Sequence, residues 1–196
     1  MILLASTSTI RQQMLREASI SFEAAPARVD ESAIRSALLG EGAHPRDIAD
    51  ALAEAKARKL AMRVPERLVL GCDQVLGFKG TVFEKPTSRN AAYEQLRALR
   101  GQTHQLFSAA VIYDDGVPVW RHVGIARLTM RQFSDSYLEA YLDRNWPDIG
   151  DSVGGYKLEH EGVRLFAQIQ GDYFTILGMP LLELLNYLVL RGEIEG

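Results

Sequence analysis

One acidic side chain stands within the apolar stretch VLGCDQVL, residues 69–76. The run is predicted to form a β-strand that presents Asp73 where the apolar residues break off. An ionised carboxylate that is buried without a partner carries a large desolvation penalty, so Asp73 must face a cleft, a cation or a hydrogen-bond donor. The alternative is that Asp73 caps a turn, to which aspartate is well suited. We interpret the stretch as the centre of a site for an anionic substrate.

A serine-rich turn near the start of the chain offers donors to such an anion. Residues 2–5 are predicted to form a short strand, and a helical pattern begins at Thr9 with Ser8 as its N-cap. A helix N-terminus presents unpaired backbone N–H groups, to which Ser6 and Ser8 add hydroxyls and Arg11 adds a positive charge. The pattern predicts a phosphate-binding turn, although a plain capped helix with a solvated arginine would produce the same pattern.

Two lysines stand beside apolar elements and offer further positive charge. Lys56 lies on or beside the apolar face of a helix predicted for residues 45–62. Lys85 precedes Pro86, which favours extended backbone at the lysine. For Lys56 the alternative is a solvated ammonium whose aliphatic stem covers apolar surface.

Glu31 follows a strand predicted for residues 22–27. Acid pairs such as Asp30 and Glu31 are common at the surface after a strand. If Glu31 comes near Asp73, however, two carboxylates beside phosphate oxygens form a ligand set that octahedral Mg²⁺ accepts. The sequence therefore indicates a conditional metal site.

Composition narrows the class of protein. The 196 residues fit a single domain spanning residues 1–196, and a single cysteine excludes an internal disulfide, as suits the cytoplasm. Cys72 is predicted to be a small buried hydrophobe rather than a nucleophile. The formal net charge of −3 gives no general attraction to nucleic acid or to an anionic membrane. Since no basic leader or long apolar segment is seen, we expect a cytoplasmic protein without nucleic-acid or membrane partners.

Strand-like and helix-like patterns alternate along the chain, which predicts an α/β fold. Further strands are predicted as hairpins at residues 78–83 and 103–130 and as a pair at residues 165–169 and 173–177. Further helices are predicted between Ser88 and Gly101 and at residues 134–142. A last helix is predicted to begin with Pro180 at N1 and to end at about residue 190. The Gly-x-Gly-x-x-Gly and Gly-Lys-Ser/Thr fingerprints are absent, which disfavours nucleotide binding by the Rossmann or P-loop route.

A series of short motifs runs along nearly the whole chain: LASTS at 4–8, VDE at 29–31, AEAKA at 53–57, GCDQ at 71–74, EKP at 84–86, GQTH at 101–104, and GDY and GMPL between 171 and 181. In this order they resemble the Maf family of nucleoside triphosphate pyrophosphatases. The resemblance implies a two-lobed α/β fold, with a mixed β-sheet flanked by helices and a central cleft. It also implies hydrolysis of a nucleoside triphosphate to the monophosphate and pyrophosphate, a divalent cation (Mg²⁺ or Mn²⁺), and commonly a homodimer.

The resemblance also implies roles for individual residues. The family's phosphate-binding turn corresponds to Ser6, Ser8 and Arg11, and its triphosphate-binding lysines correspond to Lys56 and Lys85. Its proton acceptor corresponds to Asp73. An acidic site residue of the family corresponds to Glu31, which we interpret as a metal ligand together with Asp73. An ordinary carboxylate is a feeble base, so activation of water by a metal would have to supply much of the rate.

Two positions point to a branch of the family. The branch similar to thymidine and uridine triphosphatases has Thr and Gln where this chain has Gln74 and Glu159, and the latter pair is similar to the 7-methylguanosine triphosphate branch. A carboxylate accepts hydrogen bonds from the guanine edge and favours a positively charged methylated purine. Alternatives are that Glu159 pairs with Lys157 or His160, that the substrate is thymidine or uridine triphosphate, or that the chain is a non-catalytic, nucleotide-sensing regulator of septum formation.

Overall fold

The computed structural model describes residues 1–196 and contains one mixed sheet of seven strands flanked by seven α-helices. The strands are β1 (Ile2–Leu4), β2 (Phe22–Ala24), β3 (Val69–Phe78), β4 (Thr81–Phe83), β5 (Thr103–Asp114), β6 (Val117–Met130) and β7 (Phe166–Gln170). The helices are α1 (Thr9–Glu17), α2 (Glu31–Gly40), α3 (Pro45–Ala61), α4 (Arg89–Leu99), α5 (Asp135–Asn145), α6 (Tyr173–Leu177) and α7 (Leu181–Arg191). The α/β fold class is confirmed.

The strand order β2-β1-β3-β5-β6-β7 leaves one gap beside β3, the strand that carries Asp73. On one side, β3 pairs with antiparallel β5 without interruption from Val69 to Gly77. On the other side, it pairs with parallel β1 at Val69 and Leu70, and with antiparallel β4 only from Leu76 onward. Residues 71–75 therefore have no partner strand on that edge, and the sheet opens there.

Helix α3 lies directly on the middle of β3, because Gly71 presents no side chain to it. A Cβ atom built on Gly71 would stand 2.2 Å from the carbonyl oxygen of Ala53 and 2.6 Å from the backbone nitrogen of Ala57. Residues 71 and 73 face the same side of a strand, since side chains alternate. The close approach therefore places Lys56 of α3 over Asp73.

We expect Gly71→Ala to lower the free energy of unfolding by about 1–3 kcal/mol, because the new methyl group must push α3 away from β3. The same displacement would separate Lys56 from Asp73, so activity is expected to fall as well. Thermal or denaturant unfolding measures the first effect. Gly40→Ala is the matched control, since no atom lies within 4 Å of the position of its Cβ; equal stability of the two variants would contradict the packing argument.

The prediction of a strand at residues 173–177 is wrong, because this segment is the short helix α6. Asp172 caps it by accepting a hydrogen bond from the backbone nitrogen of Thr175 at 2.8 Å, and Gly178 ends it in the left-handed conformation. A five-residue apolar run does not distinguish strand from helix by periodicity, so the two caps decide.

Two smaller differences concern helix starts. No helix was predicted after Glu31, yet α2 begins there, with the side chain of Asp30 accepting from the backbone nitrogen of Ala33 at 2.9 Å. The acid pair is thus an N-cap and the first helical residue. Pro180 is the N-cap of α7 rather than its N1 residue.

Cys72 is fully buried in the apolar cluster between the sheet and helices α1 and α7. Burial raises the pKa of its thiol to about 11, so the thiol stays protonated and non-nucleophilic at neutral pH. The prediction of a buried hydrophobe is confirmed. None of the helices combines the length and the apolar character needed to cross a bilayer.

Candidate active site

A cleft of about 860 Å³ opens where β3 lacks a partner strand. A cavity of this size accommodates a nucleotide. All nine side chains singled out from the sequence line it: Ser6, Ser8, Arg11, Glu31, Lys56, Asp73, Gln74, Lys85 and Glu159. The structure thus brings the predicted residues together in one place, and their functional roles remain predictions.

The floor of the cleft is an ion-pair cluster around one lysine. The Lys56 ammonium lies 2.6 Å from Oδ1 of Asp73 and 3.0 Å from Oε1 of Glu31. Asp73 is only 5% exposed and Lys56 9%, so this pair is shielded from water, whereas Glu31 lies at the edge of solvent. The alternatives of a solvated Lys56 and of Asp73 in a turn are therefore wrong.

One oxygen of Asp73 makes no contact within this ion-pair cluster. Oδ2 is buried and has no hydrogen-bond partner. A buried carboxylate oxygen without a donor is costly, and in Asp73 this oxygen lines an open cleft from which a water, an ion or a ligand can reach it. Asp73 thus has one oxygen held by Lys56 and one available for chemistry.

The turn at residues 6–8 forms the wall beside Asp73. The hydroxyl of buried Ser6 accepts hydrogen bonds from the backbone nitrogen of Ser8 at 3.2 Å and from Nη1 of Arg11 at 3.5 Å. Ser8 occupies the N-cap of α1, as predicted, but its side chain makes no capping bond. The Ser8 hydroxyl and the first N–H groups of α1 therefore remain available to an anion.

Arg11 does more than supply charge. Its Nε donates to the carbonyl oxygen of Gly178 at 2.8 Å, and its Nη1 donates to that of Cys72 at 3.2 Å. The Cys72 carbonyl belongs to the part of β3 that has no partner strand. Arg11 thereby joins α1 to β3 and to the end of α6, an anchoring role that the sequence did not suggest.

Gln74 is also tied to the protein. Its Nε2 donates to the hydroxyl of Ser108 at 3.0 Å and to the carbonyl oxygens of Ile176 at 2.9 Å and Thr175 at 3.2 Å. These contacts fasten α6 to the centre of the sheet. The amide donors are thus engaged before any substrate binds, which sequence reasoning missed because α6 was predicted as a strand.

The mouth of the cleft carries Lys85 on one side and Glu159 on the other. Lys85 is exposed, and the preceding Glu84 is paired with Arg35 of α2 at 3.0 Å. Arg35 also lines the cleft and was missed, since α2 was not predicted. Glu159 is half-buried, and Lys157 is instead held by Asp148 and Asp151 at 2.9 and 3.1 Å. The predicted alternative pairing of Glu159 with Lys157 is not what the structure contains.

The residues of the cleft can supply only part of the coordination shell of a divalent cation. No group of three or more His, Cys, Asp or Glu side chains is placed to hold a metal ion. Two carboxylates, Asp73 and Glu31, nevertheless flank one ammonium, and Asp73 Oδ2 lacks a partner. Since Mg²⁺ commonly takes one or two carboxylates and completes its shell with phosphate oxygens and water, this donor set is compatible with a cation that arrives with a phosphorylated substrate.

Comparison with known proteins finds matches along the whole chain. A family model described as "Maf-like protein" matches residues 1–190. A nucleoside triphosphate pyrophosphatase of Ruegeria sp. (strain TM1040) is 60% identical over 194 residues, covering 99% of this chain and 98% of the relative. One of Caulobacter vibrioides is 49% identical over 193 residues, covering 98% and 96%. A 7-methyl-GTP pyrophosphatase of Mesorhizobium japonicum is 48% identical over 195 residues, covering 100% and 98%.

Proposed function

The chain belongs to the Maf family, and from that membership we infer that it is a nucleoside triphosphate pyrophosphatase, a hydrolase of the bond between the α- and β-phosphates. The observation that carries the chemical part of this proposal is the buried carboxylate of Asp73, with one oxygen free, on the part of β3 that has an open edge. The cleft surrounds it with the donors and cations that a triphosphate requires.

The triphosphate is proposed to lie between the serine turn and the two lysines. The free N–H groups at the start of α1 and the Ser8 hydroxyl would bind one phosphate, with Arg11 fixed behind them. Lys56 would neutralise charge at the floor of the cleft. Lys85, exposed at the mouth, would contact the terminal phosphates. In this proposed arrangement the α–β bond lies next to Asp73.

Hydrolysis then needs one water aligned with the bond that breaks. We propose that Asp73 Oδ2 accepts a proton from this water as its oxygen attacks the α-phosphorus. The bond between the α-phosphorus and the bridging oxygen breaks, and pyrophosphate leaves with that oxygen and its electron pair. Lys56 holds the other oxygen of Asp73, so the free oxygen stays directed at the water.

We also propose that Glu31 and Asp73 hold a divalent cation, with substrate phosphates as further ligands. Support comes from the two carboxylates that flank Lys56 and from the unpartnered Oδ2, whose two lone pairs allow one to face the ion and the other the attacking water. When bound, such an ion would polarise the phosphate oxygens and lower the pKa of a coordinated water, which a carboxylate alone does poorly. Lys56 would balance the negative charge of the two carboxylates before the ion and substrate arrive.

The proposed substrate is a 7-methylguanosine-type triphosphate. The support is the half-buried carboxylate of Glu159 at the mouth of the cleft, with the neighbouring Lys157 engaged elsewhere. A carboxylate can accept two hydrogen bonds from the N1–H and N2–H₂ edge of guanine and is attracted to a positively charged methylated purine.

Glu159→Gln is expected to reduce kcat/KM for 7-methylguanosine triphosphate about 10- to 100-fold more than for thymidine triphosphate, the effect of losing a charged hydrogen bond in a partly buried site. Measuring both substrates with both proteins gives this ratio. Glu161→Gln removes a neighbouring carboxylate that is bound to Arg144 at 2.6 Å, and serves as the control. Parallel losses for the two substrates would mean that Glu159 does not contact the base.

The activity itself is tested with a panel of nucleoside triphosphates, methylated ones included. Purified protein with Mg²⁺ should release pyrophosphate and the monophosphate from at least one of them, and a chelator should abolish the release. Preference for thymidine or uridine triphosphate would support the other branch of the family. Tight binding of nucleotides without any release of pyrophosphate would favour a non-catalytic regulator.

A further inference from the structure

A buried hydrogen bond joins the central sheet to the wall of the cleft that is formed between the two 3₁₀ turns. His104, at the start of β5, lies with its Nε2 2.7 Å from the hydroxyl of Tyr156. The two residues are only 1% and 3% exposed, and both rings pack on Phe166, with ring centroids 6.0 and 4.8 Å away. Neither polar group has a part in the phosphate chemistry described above.

This polar pair is not required to fill the core. Nδ1 of His104 is buried and has no partner. Burial lowers the pKa of His104 to about 4 and raises that of Tyr156, so both groups are neutral at pH 7. Two apolar residues of similar shape would fill the same space without an orphaned polar atom, since replacing both partners of a hydrogen bond is nearly neutral in stability. The hydrogen bond therefore fixes the position of the Tyr156 side chain relative to His104 and adds little to the stability of the protein.

The hydrogen bond acts on a segment that otherwise meets the sheet through apolar packing, with Val153 and Tyr156 in one cluster with Leu76 of β3. Residues 152–159, here called the base-side loop, run between two short 3₁₀ turns and contain no strand. Within the loop, the hydroxyl of Ser152 donates to the carbonyl oxygen of Tyr156 at 2.6 Å, and Tyr141 of α5 reaches the carbonyl oxygen of Gly155 at a long 3.4 Å. The bond from His104 is the one side-chain hydrogen bond between this loop and the central sheet.

The same loop supplies much of one wall of the cleft. Tyr156 lines the cleft itself, and Glu159 follows three residues later. Gly162 packs against the backbone of Lys157, which lies between these two residues, since a Cβ at residue 162 would stand 2.3 Å from the carbonyl oxygen of Lys157. We therefore expect a shift of Tyr156 relative to β5 to displace Glu159, which lies only three residues further along the chain.

We propose that His104 is a positioning residue for the nucleoside. By holding the hydroxyl of Tyr156, it fixes the base-side loop relative to the sheet and so sets where Glu159 meets the base. Asp73 and the phosphate turn are positioned by other contacts and do not depend on His104. This inference rests on the proposed function, because it assigns the loop to the nucleoside end of a nucleotide substrate.

The test measures binding of the nucleoside end and of the phosphate end of the substrate separately. Tyr156→Phe keeps the ring and its packing but removes the hydroxyl, and the double variant His104→Leu/Tyr156→Phe removes both polar partners, leaving no unpaired hydrogen-bonding group. The probes are the monophosphate product of the triphosphate that the wild type hydrolyses best, for the nucleoside end, and inorganic tripolyphosphate, for the phosphate end. Calorimetry gives both dissociation constants, steady-state kinetics gives kcat and KM, and thermal unfolding gives Tm.

In both variants we expect the dissociation constant of the monophosphate and the KM to rise about tenfold, the usual effect of one hydrogen bond. The affinity for tripolyphosphate should stay the same, kcat should change less than threefold, and the double variant should recover the Tm lost in Tyr156→Phe. Tyr141→Phe, which removes a hydroxyl that touches the same loop weakly, should bind the monophosphate like the wild type.

A purely structural role for the pair predicts that monophosphate affinity follows Tm and returns to the wild-type value in the double variant. That result, or equal losses for monophosphate and tripolyphosphate, would overturn the proposal. It would leave the proposed function intact, since that function is tested on the wild type alone. A wild-type protein that hydrolyses no nucleoside triphosphate would overturn both.

Discussion

Replacing Asp73 by asparagine is expected to lower kcat about 100- to 10,000-fold, the range that a positioned general base contributes, while the protein stays folded. The amide is nearly isosteric with the carboxyl group, but it cannot accept the proton of the attacking water and is a poorer metal ligand. The side-chain carbonyl of the new asparagine can still accept from Lys56, which also keeps its 3.0 Å contact with Glu31, so no buried charge is left alone. Steady-state kinetics and a melting curve of the same preparation measure the two effects.

A neighbouring aspartate provides the control for this change. Asp30 lies at the N-cap of α2, next to Glu31, and an asparagine there can cap the helix equally well. Asp30→Asn thus removes the same charge close to the cleft without touching Asp73. Its kcat should stay within a factor of about two. Near-wild-type turnover by Asp73→Asn, or a loss of equal size in Asp30→Asn, would remove Asp73 from the role of proton acceptor.

The location of the site could be predicted from sequence because its residues stand out against their local pattern. Asp73 interrupts an apolar strand, and Ser6 and Ser8 stand at a strand-to-helix junction. Such signals are local, so they survive without knowledge of the tertiary structure. The resemblance to a family added the order of the motifs, and the cleft then brought together all of the residues singled out.

The contacts that hold the site together could not be predicted in the same way. Arg11 reaches Gly178 and Cys72, which are 167 and 61 positions away, and Gln74 reaches the end of α6 across 102 positions. No local pattern encodes these pairs. Because α6 was predicted as a strand, the partner of Gln74 could not be identified. Asp172 and Gly178, which cap the two ends of α6, are residue types that would have indicated a helix.

Lys56 illustrates the same limit. Its position near the apolar face of α3 allowed either a solvated or a buried ammonium, and periodicity cannot choose between them. The choice is made by Gly71, whose missing side chain lets α3 approach β3 closely enough for the ammonium to reach Asp73. A glycine in the middle of a strand is a usable signal for such a close approach.

The second large effect is expected for Lys56→Met, which removes the ammonium but keeps a side chain of similar length. We expect the free energy of unfolding to fall by about 3–5 kcal/mol, the range observed when one partner of a buried ion pair is removed. Most of the loss should come from Asp73, because its side chain is only 7% exposed, whereas that of Glu31 is 43% exposed and can turn toward water. Triphosphate hydrolysis should also fall, since the floor of the cleft loses its positive charge.

A double variant identifies the cause of this instability. In Lys56→Met/Asp73→Asn no buried carboxylate is left without a cation, so most of the lost stability should return while activity stays low. Lys59→Met is the control, because Lys59 lies on the same helix, is exposed and forms no ion pair; its stability should change by no more than about 0.5 kcal/mol. If the double variant were as unstable as Lys56→Met, the loss would come from the packing of the lysine stem, and Asp73 would not need Lys56 to remain buried as a charge.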